Sequence, residues 1–90
     1  MITPALRHVL STYGHADTDI SGLAALLRSK KMPSWLRSFR DDFAAAILAG
    51  SLTPVVVDEL MRRDFDDQAA VDHWLRHAWA IWFSGSAYPR

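Results

Sequence analysis

The sequence predicts an all-α, single-domain bundle of four or five short helices, and three observations carry that reading. Apolar residues recur at spacings of three and four almost throughout, and no run of four to eight residues shows the clean alternation of a half-buried strand. Pro4, Pro33 and Pro54 stand where helices would open, and Gly14, Gly50 and Gly85 where they would close. Ninety residues, 50% hydrophobic and 22% charged, are enough to bury roughly 60% of the unfolded surface in one core spanning residues 1–90, and too few for two domains.

The first helix is expected over 4–13, with Thr3 as N-cap, Pro4 at the first helical position, and Leu6, Val9, Leu10 and Tyr13 on one stripe ahead of Gly14. A second opens between Asp17 and Asp19 and turns Ile20, Leu23, Ala24 and Leu27 to one face; Gly22 costs it about 1 kcal/mol relative to alanine. Pro33 begins a third, lined by Leu36, Phe39, Phe43, Ala46 and Ile47, with Gly50 placed for a left-handed cap. Thr53 and Pro54 repeat the opening signal for a fourth, which directs Val56, Val57, Leu60 and Met61 inward. Asp66 or Asp67 caps a fifth that runs to about Ser84, with Val71, Trp74, Leu75, Ala78, Ile81 and Trp82 on its buried arc. The tail from Ser86 to Arg90 reads as loose.

Ten Lys and Arg balance ten Asp and Glu, so the whole molecule has no net pull toward phosphate backbones or anionic membranes. Without cysteine there is no disulfide scaffold and no thiolate metal site, which fits a reducing compartment. No basic flank leads into an apolar signal segment, and no stretch approaches a membrane span, so the expectation is a soluble, cytoplasmic protein without membrane contact.

Motifs for chemistry are sparse, and the chain reads as a non-enzyme without cofactor or metal. His73 and His77 lie four apart near Asp72, but Trp74 takes the glutamate's place in an H-E-x-x-H pattern, and two ligands cannot close a tetrahedral site. Ser11, His8, His15 and Asp17 invite a nucleophile-and-base reading, yet Ser11 falls inside a helix rather than on a strained turn. The four glycines are scattered, which leaves no phosphate-cradling loop.

Charge is sharply segregated. Arg28, Lys30, Lys31, Arg37 and Arg40 form a stretch without an acid, worth +5. From Asp58 to Asp72, the acids Asp58, Glu59, Asp64, Asp66, Asp67 and Asp72 face two bases, Arg62 and Arg63, for a balance of −4. Either run reads as a solvated face, the aspartates also favouring the positive start of the fifth helix, or as a surface for a charged partner. Trp79 and Phe83 fall at the edge of the fifth helix's apolar arc, where aromatic residues serve as interface anchors unless the third helix covers them. The partner-binding set is therefore Asp58, Glu59, Asp64, Asp66, Asp67, Asp72, Trp79 and Phe83.

The opening segment from Pro4 to Tyr13, continuing through His15 and Asp17, resembles the start of small contact-dependent growth inhibition immunity proteins of bacteria, in which a leucine-rich helix runs into a Tyr-x-His-x-Asp segment. Leu52-Thr53-Pro54, Phe65 and Trp74-Leu75 are similar to the closing half of the same family, while Gly14 and Thr18 stand where the family often has aromatic residues. The resemblance implies a cytoplasmic helical protein, monomeric alone and heterodimeric with its target, that occludes the active site of a cognate effector's toxic C-terminal domain, commonly a nuclease. An acidic surface suits that role, since a nuclease presents cations to phosphate. The rival reading is a small nucleic-acid-binding module, with the 28–40 cations on phosphates and Trp35 stacked on a base. A homo-oligomer built through Trp79 and Phe83 is a third.

Overall fold

The computed structural model describes residues 2–29, 34–36 and 38–89, apart from the Trp35 side chain. Five α-helices stand among these residues: α1 Pro4–Tyr13, α2 Ser21–Arg28, α3 Phe39–Leu48, α4 Pro54–Met61 and α5 Gln68–Trp82, with one 3₁₀ turn at Ser34–Leu36. No described residue lies in a strand. The radius of gyration is 12.2 Å, close to the ~12 Å of a single compact domain of this length.

Three helices open as their sequences dictate. The hydroxyl of Thr3 accepts from the N–H of Leu6, that of Thr53 from Val56, and the Asp67 carboxylate from Ala70, each satisfying an otherwise unpaired donor of the first turn. Thr3 also donates to Asp42 at 3.2 Å, joining the starts of α1 and α3. The second helix begins later than its aspartates suggested. Asp19 accepts from both the N–H and the hydroxyl of Ser21, and α2 follows this turn without a side-chain cap of its own. α3 begins at Phe39, after the 3₁₀ turn has carried Leu36 into the core; Pro33, the expected start, lies outside the described residues. It ends as expected: Gly50 takes φ +70°, so that Ser51 N–H reaches the Ala46 carbonyl and Gly50 N–H the Ile47 carbonyl.

α1 packs against α3 and α4, while α2 packs along α5. The centre is aromatic. Phe39 stacks on Phe43 at 5.4 Å, both meet the Trp82 ring at 5.6 Å, and Trp74 stands edge-on to Trp82 at 6.2 Å. Such pairs contribute about 0.5–1.5 kcal/mol each beyond the area they bury. The Trp82 indole N–H donates to the Ile20 carbonyl at 2.7 Å and ties α2 to α5. No buried side-chain nitrogen or oxygen lacks a partner among the described residues.

Two expectations are corrected here. Trp79 is 3% exposed rather than an edge anchor: it follows Leu75 by four positions, Phe43 of α3 stacks on it at 5.8 Å, and the chain end covers it. The tail, expected to be loose from Ser86 to Arg90, is tied down as far as Tyr88; Arg90 lies outside the described residues. Trp79 Nε1–H donates to the Ser86 carbonyl, Tyr88 meets the Trp79 ring edge-on, and the Arg76 guanidinium lies 4.4 Å from the Tyr88 ring centre.

Candidate interaction surfaces at the two ends of α5

The outer face of α4 and the link into α5 enclose a shallow groove of about 260 Å³, lined by Pro54, Val55, Asp58, Glu59, Asp64 and Phe65. Residues 55, 58 and 59 fall on one helical face, opposite the buried Val57, Leu60 and Met61. Val55 is 67% exposed, the most exposed large apolar side chain among the described residues. The carboxylates of Asp58, Glu59 and Asp64 make no hydrogen bond or ion pair with any described residue.

The link is held in shape by Arg63. Arg62 ends α4 in the left-handed region at φ 55°, which turns the next side chain inward. Arg63 Nε donates to the Gly14 carbonyl at 2.7 Å, Nη2 donates to His15 at 3.3 Å, and the guanidinium lies 4.6 Å from the Trp74 ring centre. Ala16 N–H donates to Met61 O, so the segment after α1 is pinned to the end of α4. Partial burial lowers the Arg63 pKa from the ordinary arginine value. Phe65 then leans on Trp74 at 6.3 Å, which aims Asp64 outward.

At the other end of α5, Leu27, Arg28, Leu36, Arg40, Trp82, Phe83 and Ser84 line a groove of about 320 Å³. Both guanidiniums are exposed and unpaired among the described residues. Lys30, Lys31 and Arg37 lie outside the described residues.

The structure thus divides the expected partner set. Asp58, Glu59 and Asp64 share one groove. Asp66 is exposed nearby, and Asp67 is committed to capping α5. Asp72 lines a different depression with Leu52 and Gln68, whose amide donates to both Leu52 O and Asp72. Half-buried Phe83 belongs to the basic groove, and Trp79 to the core. Val55 and Phe65 are the contributors that sequence reading missed. A β-branched residue three and four positions before two acids on α4 was the available signal for Val55.

The residues weighed for catalysis are engaged locally. Ser11 donates to the His8 carbonyl within α1, and His15 Nδ1 accepts from Asp17 N–H. Among the described residues there is no group of three or more His, Asp or Glu able to hold a metal and no helix long and apolar enough to cross a membrane. Compared with known proteins, the chain matches no family model, no curated sequence and no solved structure.

Proposed function

We propose that this chain is a non-enzymatic immunity protein that binds the toxic domain of a cognate effector and blocks its active site, with the groove between α4 and α5 as the contact surface. The observation that carries the reading is an exposed Val55 beside Phe65, with the carboxylates of Asp58, Glu59 and Asp64, which have no partner among the described residues, around them. Apolar contact supplies affinity there, while the carboxylates steer a cationic face into register. A nuclease is such a partner, because its active site must attract phosphate. The resemblance of the Tyr13, His15 and Asp17 segment to immunity proteins supports the same role. Arg63 gives that segment a positioning part, since its hydrogen bonds to Gly14 and His15 hold the acidic link.

The nucleic-acid reading draws on Arg28 and Arg40 at the opposite groove. Trp82 is 2% exposed and Phe83 is half-buried there, while the Trp35 side chain, the ring that reading would stack on a base, lies outside the described residues. Co-expression with the toxic C-terminal domain of an effector identified by gene neighbourhood tests the proposal. Cells survive if the chain neutralises it; cells that die despite abundant folded chain overturn the reading.

A further inference from the structure

We infer that the two ends of α5 are complementary, and that the acidic α4 face of one copy docks into the basic groove of a second copy. This rests on the surfaces themselves and stands or falls separately from the toxin reading.

Val55 provides the first argument. Valine is a poor choice for a solvated helix position, and here it is two-thirds exposed. It is an exposed apolar side chain in the shallow groove that it lines with Asp58 and Glu59. The groove at the far end of α5 is lined by apolar Leu27, Leu36 and Phe83 together with the guanidiniums of Arg28 and Arg40, so its charge is opposite. Apolar side chains are available at both surfaces, and carboxylates without a partner among the described residues would meet arginines without one.

Charge balance is the second. The acid-free stretch carrying Arg28 and Arg40 is +5 and the stretch carrying Asp58 and Asp64 is −4, while the chain as a whole is neutral. Two copies therefore approach without net repulsion, and segregated charges orient them head to tail. The α5 macrodipole does not oppose this pattern: acids surround its positive N-terminus, and Arg28 and Arg40 lie at its negative C-terminus. The contact joins two different surfaces, so it is heterologous and leaves a free acidic face and a free basic groove at the ends of each assembly. Assembly is then open-ended, in contrast to the monomer expected from sequence. A cationic partner at α4 would compete with it directly.

Sedimentation velocity on the intact chain tests the proposal. Weight-average mass should rise with concentration at low salt without a plateau at the dimer, and fall back to 10.1 kDa at about 1 M salt, where the Debye length is about 3 Å. The double variant R28E/R40E and the triple variant D58K/E59K/D64K should each be monomeric, and an equimolar mixture of the two should associate again. All five positions are exposed; if either reversal lowers helicity by circular dichroism, R28Q/R40Q and D58N/E59Q/D64N replace them, each expected to weaken association at least tenfold. A wild-type chain that stays monomeric at low salt overturns the inference, as does a mixture that stays monomeric. A wild-type monomer that binds an oligo(dT) probe through Arg28 and Arg40 assigns the groove to nucleic acid instead.

Discussion

At the N-terminal end of α5, Trp74 is held in part by a cation, the Arg63 guanidinium that also pins the Gly14 and His15 carbonyls; at the C-terminal end, Trp79 and Trp82 are held by other rings. The charged residues at the two ends differ accordingly. At the acidic end a half-buried polar tie and the exposed carboxylates come from the same six-residue link and helix end, so altering the tie disturbs the surface. At the basic end Arg28 and Arg40 decorate a scaffold that stands without them. A charged surface is therefore fragile or robust according to whether its own segment also supplies the packing beneath it.

The largest effects should come from the rings. Trp82→Ala and Trp74→Ala are each expected to cost about 3–5 kcal/mol by thermal or urea denaturation. Trp82 should cost more, since it also loses the hydrogen bond to Ile20. Equal wild-type-like melting of the two variants would break the comparison at its root.

Next is Arg63→Met, which keeps the bulk but removes the Arg63 donor from the Gly14 carbonyl and one of the two donors, with Thr18 N–H, from the His15 carbonyl, for an expected loss of about 1–3 kcal/mol. Faster amide exchange should follow at residues 14–16 and 62–65. Arg28→Met and Arg40→Met should each remain within about 0.5 kcal/mol of wild type. A basic-end variant as damaging as Arg63→Met would erase the distinction.

Gly14→Ala should cost about 1–3 kcal/mol through overpacking. Its backbone is ordinary, but an added Cβ would stand 2.6 Å from the Met61 sulfur and 2.8 Å from the Leu10 carbonyl. Melting temperatures of Gly14→Ala and Gly22→Ala make the check, because a Cβ at Gly22 meets nothing.

The smallest effect concerns the strap on Trp79. Burial, then the negative charge of Asp72, raise the Tyr88 pKa above the ordinary phenol value, with Arg76 opposing. A folded value above the unfolded one means that the contribution is complete below the ordinary phenol pKa and is lost as pH rises through the higher folded value. In a Tyr13→Phe background, absorbance near 295 nm should show Tyr88 ionising at higher pH than in denaturant, and Asp72→Asn should bring the two closer.

Most of the fold was legible because its signals are local. Thr3, Thr53, Asp67 and Gly50 each act within a few residues of themselves, and each does what its type and position implied. The site was legible only as charge. That Asp72 leaves the acidic group, that Trp79 is covered, and that Arg63 turns inward all depend on contacts between elements far apart in sequence. Arg63 reaches Gly14 across 49 positions, and no periodicity within α4 or α5 encodes that. Gly14 was read as a helix stop; its more demanding duty, close approach to Met61, likewise belongs to tertiary packing.

The central claim is that the carboxylates of the α4 face serve a partner rather than the fold. Surface plasmon resonance on the purified toxic domain, comparing wild type with D58N/E59Q/D64N at two salt concentrations, tests it most directly. The triple variant should melt within about 0.5 kcal/mol of wild type, since exposed charges add little to stability. It should associate more slowly with the toxic domain, and raising salt to about 1 M, where the Debye length is about 3 Å, should slow wild type toward the same rate. Association and dissociation rates identical to wild type at both salt concentrations would contradict the claim and remove the α4 face from the interface.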